Sequence, residues 1–550
     1  MKLEDVKIRE ALAKGDYVSE ENLNAAEVFA KEHSASIVEY LFFKGFLTRD
    51  LLGQAIAEMY GVTYADLNSK PIVREAVLRI PEEISKKYEV VLIGENETEV
   101  TIATTDPSNA ELPQVLSAIF PNKKIAFAYA MQEDFESVFI YYRKPLNTRF
   151  VDILKTEKHI APEIIEEIFR DAFLYRASDI HFEPQENEVV IRFRIDGVLH
   201  EAGRIQKEFY ENILNRIKVQ AHLRIDEHFA VQDGSIRYER KAAVPVDMRI
   251  SIAPTINGEK IVIRLLAEYV QSLSLYDLGL SYKNQKVLTE TAQKPFGMIL
   301  VTGATGSGKT TTLYALLKSL NTPEVNITTI EDPVEYKVVG INQIQVNPQT
   351  DITFAAGLRS IARQDPNIIL VGEIRDRETA EIAVNAALTG HLLLSTFHSN
   401  DAATSIPRLL NMGVEPFLMA STLELVIAQR LVRTVCKNCR YGMNIKRDEI
   451  AGSIPNAGKY FPEDVVTLYK GKGCESCAGT GYKGRTAVFE FMKITPDMRD
   501  LILKNPSTKQ IWELARKEGA VTLFEDGIDK VKSGITTLED LLRITTPPTD

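Results

Sequence analysis

Residues 298–310 read Met-Ile-Leu-Val-Thr-Gly-Ala-Thr-Gly-Ser-Gly-Lys-Thr. The apolar run Met298–Thr302 predicts a buried β-strand, and Thr311–Leu320 predicts a helix directly after the glycines. Gly303, Gly306 and Gly308 let the backbone curl so that its N–H groups face an anion, and the helix N-terminus adds partial positive charge. This strand–loop–helix pattern assigns Gly303, Ala304, Thr305, Gly306, Ser307, Gly308, Lys309 and Thr310 to the phosphates of ATP. Lys309 is expected to reach the β- and γ-phosphates, and Thr310 to hold Mg²⁺.

Working outward, Ile327–Ile330, Ile368–Val371 and Leu392–Phe397 are further short apolar runs separated by helical segments. Strands alternating with helices imply an α/β fold around a parallel sheet covered on both faces. Ile368–Val371 leads into Gly372-Glu373, which reads as a Walker B element with Glu373 as the Mg²⁺-side carboxylate. Ile327–Ile330 leads into Glu331-Asp332-Pro333, where Glu331 is the candidate to orient or deprotonate water. An acid at either place can instead cap a following helix. His391 and His398 flank the third run. Ligands bind at the C-terminal ends of parallel strands, so His398 is the expected γ-phosphate sensor and His391 a structural or interface residue.

The 550 residues imply several domains. With 65 Lys and Arg against 76 Asp and Glu, the net charge of −11 argues against direct nucleic-acid binding. The N-terminal stretch has no signal-peptide pattern and no run is long enough to span a membrane, so a cytoplasmic protein is expected. The four cysteines, Cys436, Cys439, Cys474 and Cys477, form two CxxC pairs. Paired CxxC knuckles suit a tetrahedral structural Zn²⁺, with two redox pairs as the alternative.

Residues 1–145 mix helical patterns with the strands Val90–Ile93 and Glu99–Ala103, and Thr48 is a plausible helix N-cap. A polar stretch at 143–148 reads as a linker. Residues 150–275 read as an α+β domain with a helix over Pro162–Phe173 and strands Val189–Ile195, Ala243–Ser251 and Lys260–Leu266. Residues 281–550 hold the glycine loop, the cysteine insert at about 436–485 and amphipathic helices over 496–545.

TTIEDPVEY at 328–336, LRSIARQDPNIILVGEIRD at 358–376 and TGHLLLSTFHSN at 389–400 resemble the secretion ATPase superfamily, as do SDIHFEP at 178–184, IRFRIDGVLHE at 191–201, GEKIVIRLL at 258–266 and LYDLGL at 275–280. The resemblance covers about residues 150–545. It implies a RecA-like ATPase domain, a preceding PAS-like α+β domain, a small N-terminal docking domain and a homohexameric ring with nucleotide at subunit boundaries. It implies a motor that hydrolyses ATP for type IV pilus assembly or for type II secretion, with pilus assembly preferred from the N-terminal region. The implied partners are an inner-membrane platform protein and a cytoplasmic docking protein, which would put the chain at the inner face of the membrane.

The resemblance also assigns Arg249 and Arg264 as arginine fingers. Arg264 interrupts an otherwise apolar strand, so a buried guanidinium with an anionic partner is expected there. Similar zinc modules occur in secretion and pilus-extension members and argue against a retraction motor. Two departures stand out. The segment IDEHFAVQDGS carries His228, Phe229 and Ser235 where members have basic residues and QDGR. Ser36-Ile37-Val38 stands where some members open a cyclic di-GMP site with Arg-Leu-Gly, which argues against binding of that messenger. A DNA-handling motor and a non-hydrolysing scaffold are the competing classes; intact Lys309, Thr310, Glu331 and Glu373 oppose the scaffold.

Overall fold

The computed structural model describes all residues except 1–2, 16, 34–35, 44–45, 48, 68–73, 143–148, 151–152, 154–159, 240–245, 267–272 and 549–550. The Thr48 cap and the 143–148 linker therefore lie outside the described residues. The chain divides into two compact units: residues 1–49, 272–472 and 484–550 form one, and residues 50–271 with 473–483 the other.

The second unit holds two sheets. A four-stranded one comprises β1 (Thr63–Tyr64), β2 (Val90–Glu95), β3 (Glu99–Thr104) and β4 (Lys124–Tyr129), in the order β1-β4-β3-β2. A six-stranded one comprises β5 (Asp179–Pro184), β6 (Glu188–Ile195), β7 (Val198–Gln206), β8 (Gln232–Tyr238), β9 (Val246–Thr255) and β10 (Gly258–Leu265). Its order is β7-β6-β5-β10-β9-β8, and its pairs are all antiparallel. Residues alternate between its faces. Ile180, Phe182, Ile191, Phe193, Ile250, Ile252, Ile261 and Ile263 share a core with Ile164, Ile168, Ile213 and Ile217 of the helices Ile160–Leu174 and Lys207–Gln220. The other face carries Asp179, Arg194, Arg249 and Arg264. The expected α+β architecture is present. Only three of these six strands are legible in the sequence, because β5, β7 and β8 carry too many polar residues to show as apolar runs.

The first unit is built on a seven-stranded sheet: β11 (Gly297–Thr302), β12 (Ile327–Glu331), β13 (Asn342–Gln345), β14 (Ile368–Val371), β15 (Leu392–Phe397), β16 (Leu423–Val435) and β19 (Tyr482–Lys493). The order is β13-β12-β14-β15-β11-β16-β19. The registered pairs from β13 to β16 are parallel, as expected from the alternation of strands and helices. Ile299, Val301, Leu370, Leu394 and Ile427 pack on one face with Leu313 and Leu317 of the helix Lys309–Leu320. Leu300, Ile369, Leu393 and Val426 pack on the other, with Ala380, Ala383 and Ile406 of the helices Arg377–Leu388 and Ala402–Asn411. Every residue of β11, β12, β14 and β15 is buried, which is why these strands read as short, largely apolar runs. Four short helices follow between Pro496 and Ile544, with breaks at 503–507, 518–522 and 533–537.

Between β16 and β19 a two-stranded hairpin, β17 (Arg440–Lys446) and β18 (Val465–Gly471), occupies the cysteine region. Its register pairs Arg440 with Gly471, so Lys472 N–H donates to the Cys439 carbonyl at 3.0 Å.

One buried acid marks the join of β19 to the helix Ala402–Asn411. Glu490 is 4 % exposed, and its Oε1 accepts the Ala402 N–H at 2.8 Å. Burial pushes its carboxyl up to about 7, against the pull of the Ala402 and Leu523 N–H groups. The folded chain therefore holds a proton that the unfolded chain, titrating near ~4.3, has released, so this group's contribution falls as pH rises across that window. Glu490→Gln keeps the acceptor without the charge. Its gain in unfolding free energy should be larger at pH 8 than at pH 5.5 by about 2 kcal/mol, read from denaturant midpoints. An equal change at both pH values would remove Glu490 from the pH dependence.

Candidate nucleotide-binding and hydrolysis site

The loop between β11 and the helix Lys309–Leu320 has the form the glycine pattern requires. Gly308 is the helix N-cap at φ 85°, a left-handed conformation that costs glycine nothing. A side chain at Gly303 would meet the Gln429 carbonyl at 2.5 Å and Ser307 Oγ at 2.6 Å, so the loop packs against β16 with no room for a methyl group. Lys309 is nearly buried, and its ammonium donates to the Gly303 carbonyl at 2.8 Å and the Ala304 carbonyl at 3.1 Å. Burial lowers its pKa and the Glu373 carboxylate opposes that shift, so the two side chains feel one another across the site. A polyanion at the loop would favour the charged lysine further.

Glu373 stands just past the end of β14, as the Walker B reading requires, and is nearly buried. It pairs with Arg375, and its Oε2 lies 3.2 Å from His398 Nε2. Glu373, His398 and Lys309 are thus brought together, and His398 is half-exposed, open to an incoming group. His391 goes elsewhere: its Nδ1 lies 2.8 Å from the Ala386 carbonyl. Thr302, the last residue of β11, accepts the Ser399 N–H at 2.8 Å, which ties the phosphate strand to the residue after His398.

Glu331 ends β12 and is 3 % exposed. It accepts from the Tyr314 hydroxyl, from Thr329 Oγ1 at 2.6 Å and from Gln343 Nε2 at 3.4 Å. Burial raises its pKa, and those three hydrogen bonds pull it back. Tyr314 and Gln343 were not among the residues the sequence singled out. A tyrosine amid Leu313, Leu316 and Leu317 reads as core, and only the sheet order brings Gln343 of β13 beside β12.

The two candidate fingers lie in the other unit. Arg249 of β9 and Arg264 of β10 are direct cross-strand partners and so share a face. Arg264 Nε lies 3.3 Å from Asp179 Oδ1, but its side chain is 58 % exposed. The buried guanidinium expected from the sequence is therefore corrected: β10 alternates, and Arg264 falls on its open face, where a long cation stays hydrated. Arg194, Asp179, Arg264 and Arg249 form one row across four strands, in which Arg194 and Arg264 both pair with Asp179. At the atypical segment, His228 Nδ1 lies 2.8 Å from Glu259 Oε2, and Glu259 also pairs with the buried Lys218 at 2.7 Å. Phe229 is 90 % exposed.

The sulfurs of Cys436, Cys439, Cys474 and Cys477 lie within 4.8 Å of one another. Cys474 and Cys477 Sγ are 3.6 Å apart, close to the ~3.8 Å edge of a tetrahedron with Zn–S bonds of ~2.3 Å. The Cys474 and Gly481 N–H groups point at Cys477 Sγ, at 3.1 and 3.3 Å, as they would at a thiolate. The donor set fits Zn²⁺.

The profile of the type II/IV secretion system protein family matches residues 154–543, and that of the MshEN domain matches residues 60–145. The chain belongs to the type II/IV secretion system protein family. It is similar to the type IV pilus assembly ATPase PilB of Thermus thermophilus, 40% identical over 517 residues, covering 90% of this chain and 58% of that protein. The chain thus spans little more than half the length of that relative. The pilus assembly ATPase PilB of Myxococcus xanthus is 36% identical, covering 98% of this chain and 99% of its own. Type II secretion system protein E of Pseudomonas aeruginosa is 47% identical over 382 residues, covering 70% of this chain and 75% of that one. The fold is shared with the ATPase DotB of Legionella pneumophila at a TM-score of 0.52 and 20% identity, covering 71% of this chain and 97% of that one. Among the described residues, no helix is long and apolar enough to cross a membrane.

Proposed function

We propose that the chain is a motor ATPase that hydrolyses ATP to drive assembly of a type IV pilus. The observation that carries the ATPase reading is the convergence of Lys309, Glu373 and His398 beside the glycine loop. In this reading the loop amides and Lys309 bind the phosphates, while Thr310 and Glu373 hold Mg²⁺, which neutralises charge on them. Glu331 takes the proton of the attacking water and His398 senses the γ-phosphate. Pilus assembly is favoured over type II secretion because the two pilus ATPases align over 90% and 98% of this chain, against 70% for the secretion protein.

The working form is a homohexamer in which the PAS-like domain, residues 150–275, supplies Arg249 and Arg264 to a nucleotide at a subunit boundary. Their direct cross-strand pairing and the exposure of Arg264 support this role. The ring docks on an inner-membrane platform protein and a cytoplasmic docking protein, without cyclic di-GMP and without contact to nucleic acid. Turnover per chain should then rise steeply with protein concentration. Arg264→Ala subunits doped into wild-type rings should lower activity by more than their mole fraction. Linear loss and concentration-independent turnover would mean independent units.

Cys436, Cys439, Cys474 and Cys477 hold one structural Zn²⁺ in this reading. Metal analysis of protein purified without added zinc should give about one Zn²⁺ per chain. Replacing any one cysteine should destabilise the insert and leave ATP binding at Lys309 intact, since structural zinc contributes folding free energy locally. Near-zero metal with freely titrating thiols contradicts the site.

A further inference from the structure

The Glu331 carboxyl is not left to burial alone. Thr329 Oγ1 and Gln343 Nε2 donate to Oε1 at 2.6 and 3.4 Å, and the Tyr314 hydroxyl donates to Oε2. Tyr314 lies on the helix Lys309–Leu320, four residues after Thr310, and is fully buried. Its ring is held edge-on to Tyr336, centroids 4.7 Å apart. Gln343 is held in turn: its Nε2 reaches the Tyr314 hydroxyl at 3.3 Å and the Tyr336 carbonyl at 3.1 Å, and its Oε1 accepts the Val338 N–H at 2.8 Å.

We propose that Tyr314 is a positioning residue for hydrolysis: its hydroxyl aims the Glu331 carboxylate and keeps it a proton acceptor. The inference rests on the reading of Glu331 as the base. Two physical consequences follow from where Tyr314 sits. The helix that carries it begins at the phosphate loop, so base and phosphate site hang on one rigid element. A donor aimed at a buried carboxylate also offsets the desolvation that would otherwise leave it protonated, and a protonated acid takes no proton from water.

The charged and titratable groups around Glu331 do not duplicate this role. Glu335 and Tyr336, on the segment after β12, both bear on it, and Glu335 adds a like charge. Lys318, the nearby cation of the same helix, lies over the Tyr336 ring at 5.3 Å. Arg375, from beyond β14, is engaged by Glu373 and Asp332.

The test is the pH profile of kcat for the wild type, Tyr314→Phe and Glu331→Gln. Phenylalanine keeps the buried ring, and unchanged Lys309-dependent ATP binding verifies the fold. Tyr314→Phe should leave KM for ATP within about twofold and move the acidic limb of kcat up by about one pH unit, so that kcat falls by up to roughly tenfold on the acid side of that limb and recovers toward wild type on the alkaline side. In the Glu331→Gln background the same change should cost nothing further. A loss of kcat equal at every pH, or no loss, overturns the role of Tyr314 while an inactive Glu331→Gln keeps the base in place. Near-normal turnover by Glu331→Gln overturns the base assignment and the inference with it.

Discussion

Lys309→Ala should bring ATP turnover below detection and weaken ATP binding by roughly 10–100-fold. The lysine ammonium is folded into the glycine loop, donating to the Gly303 and Ala304 carbonyls. Those acceptors hold the ammonium where phosphate oxygens arrive, and the nearby Glu373 carboxylate favours its charged form. A charge-assisted hydrogen bond to phosphate is worth about 1.5–3 kcal/mol, which sets the loss in affinity. The loss in rate is larger, because the same charge offsets negative charge on the transferring phosphoryl group. Equilibrium binding of a fluorescent ATP analogue and phosphate release measure the two separately. Retained turnover would place hydrolysis outside the glycine loop.

Glu331→Gln should bind ATP as wild type does and hydrolyse it at least ~100-fold more slowly, the scale of a lost general base. The amide has nearly the same shape: its carbonyl can still accept from one of the Tyr314 and Thr329 hydroxyls, which donate to different carboxylate oxygens, and the other hydroxyl can turn to accept from the amide NH2, so the end of β12 should keep its place. Rapid-quench assays with saturating ATP resolve the chemical step from product release. Near-normal turnover would move the base to Glu373, the other strand-end acid.

How far the sequence alone carries depends on where each signal comes from. β14 and β15 are buried on both faces and stand at the bounds their apolar runs predict, Ile368–Val371 and Leu392–Phe397. The phosphate loop is legible for a similar local reason: Gly308 needs its positive φ, and Gly303 needs the space a side chain would fill. Arg264 is the contrary case. Its strand holds Ile261, Ile263 and Leu265 in the core, but Val262 and Arg264 fall on the open face, so the run looked buried while the arginine was not. Strand register is a long-range property, so neither the pairing of Arg264 with Arg249 nor the neighbouring Asp179 can be read from spacing. The hydrogen bonds that Tyr314 and Gln343 make to Glu331 were hidden for the same reason. The β13 edge is fixed only when the sheet order is known, and a tyrosine in a leucine-rich helix carries no sign of a polar partner.

Hydrolysis at this site, as distinct from binding, shows in phosphate release from ATP and Mg²⁺ by purified wild-type chain, measured beside bound ATP in the same samples. Many phosphates should be released per chain at full ATP occupancy. Full occupancy with no phosphate release beyond one per chain would contradict hydrolysis and make the chain a nucleotide-binding scaffold.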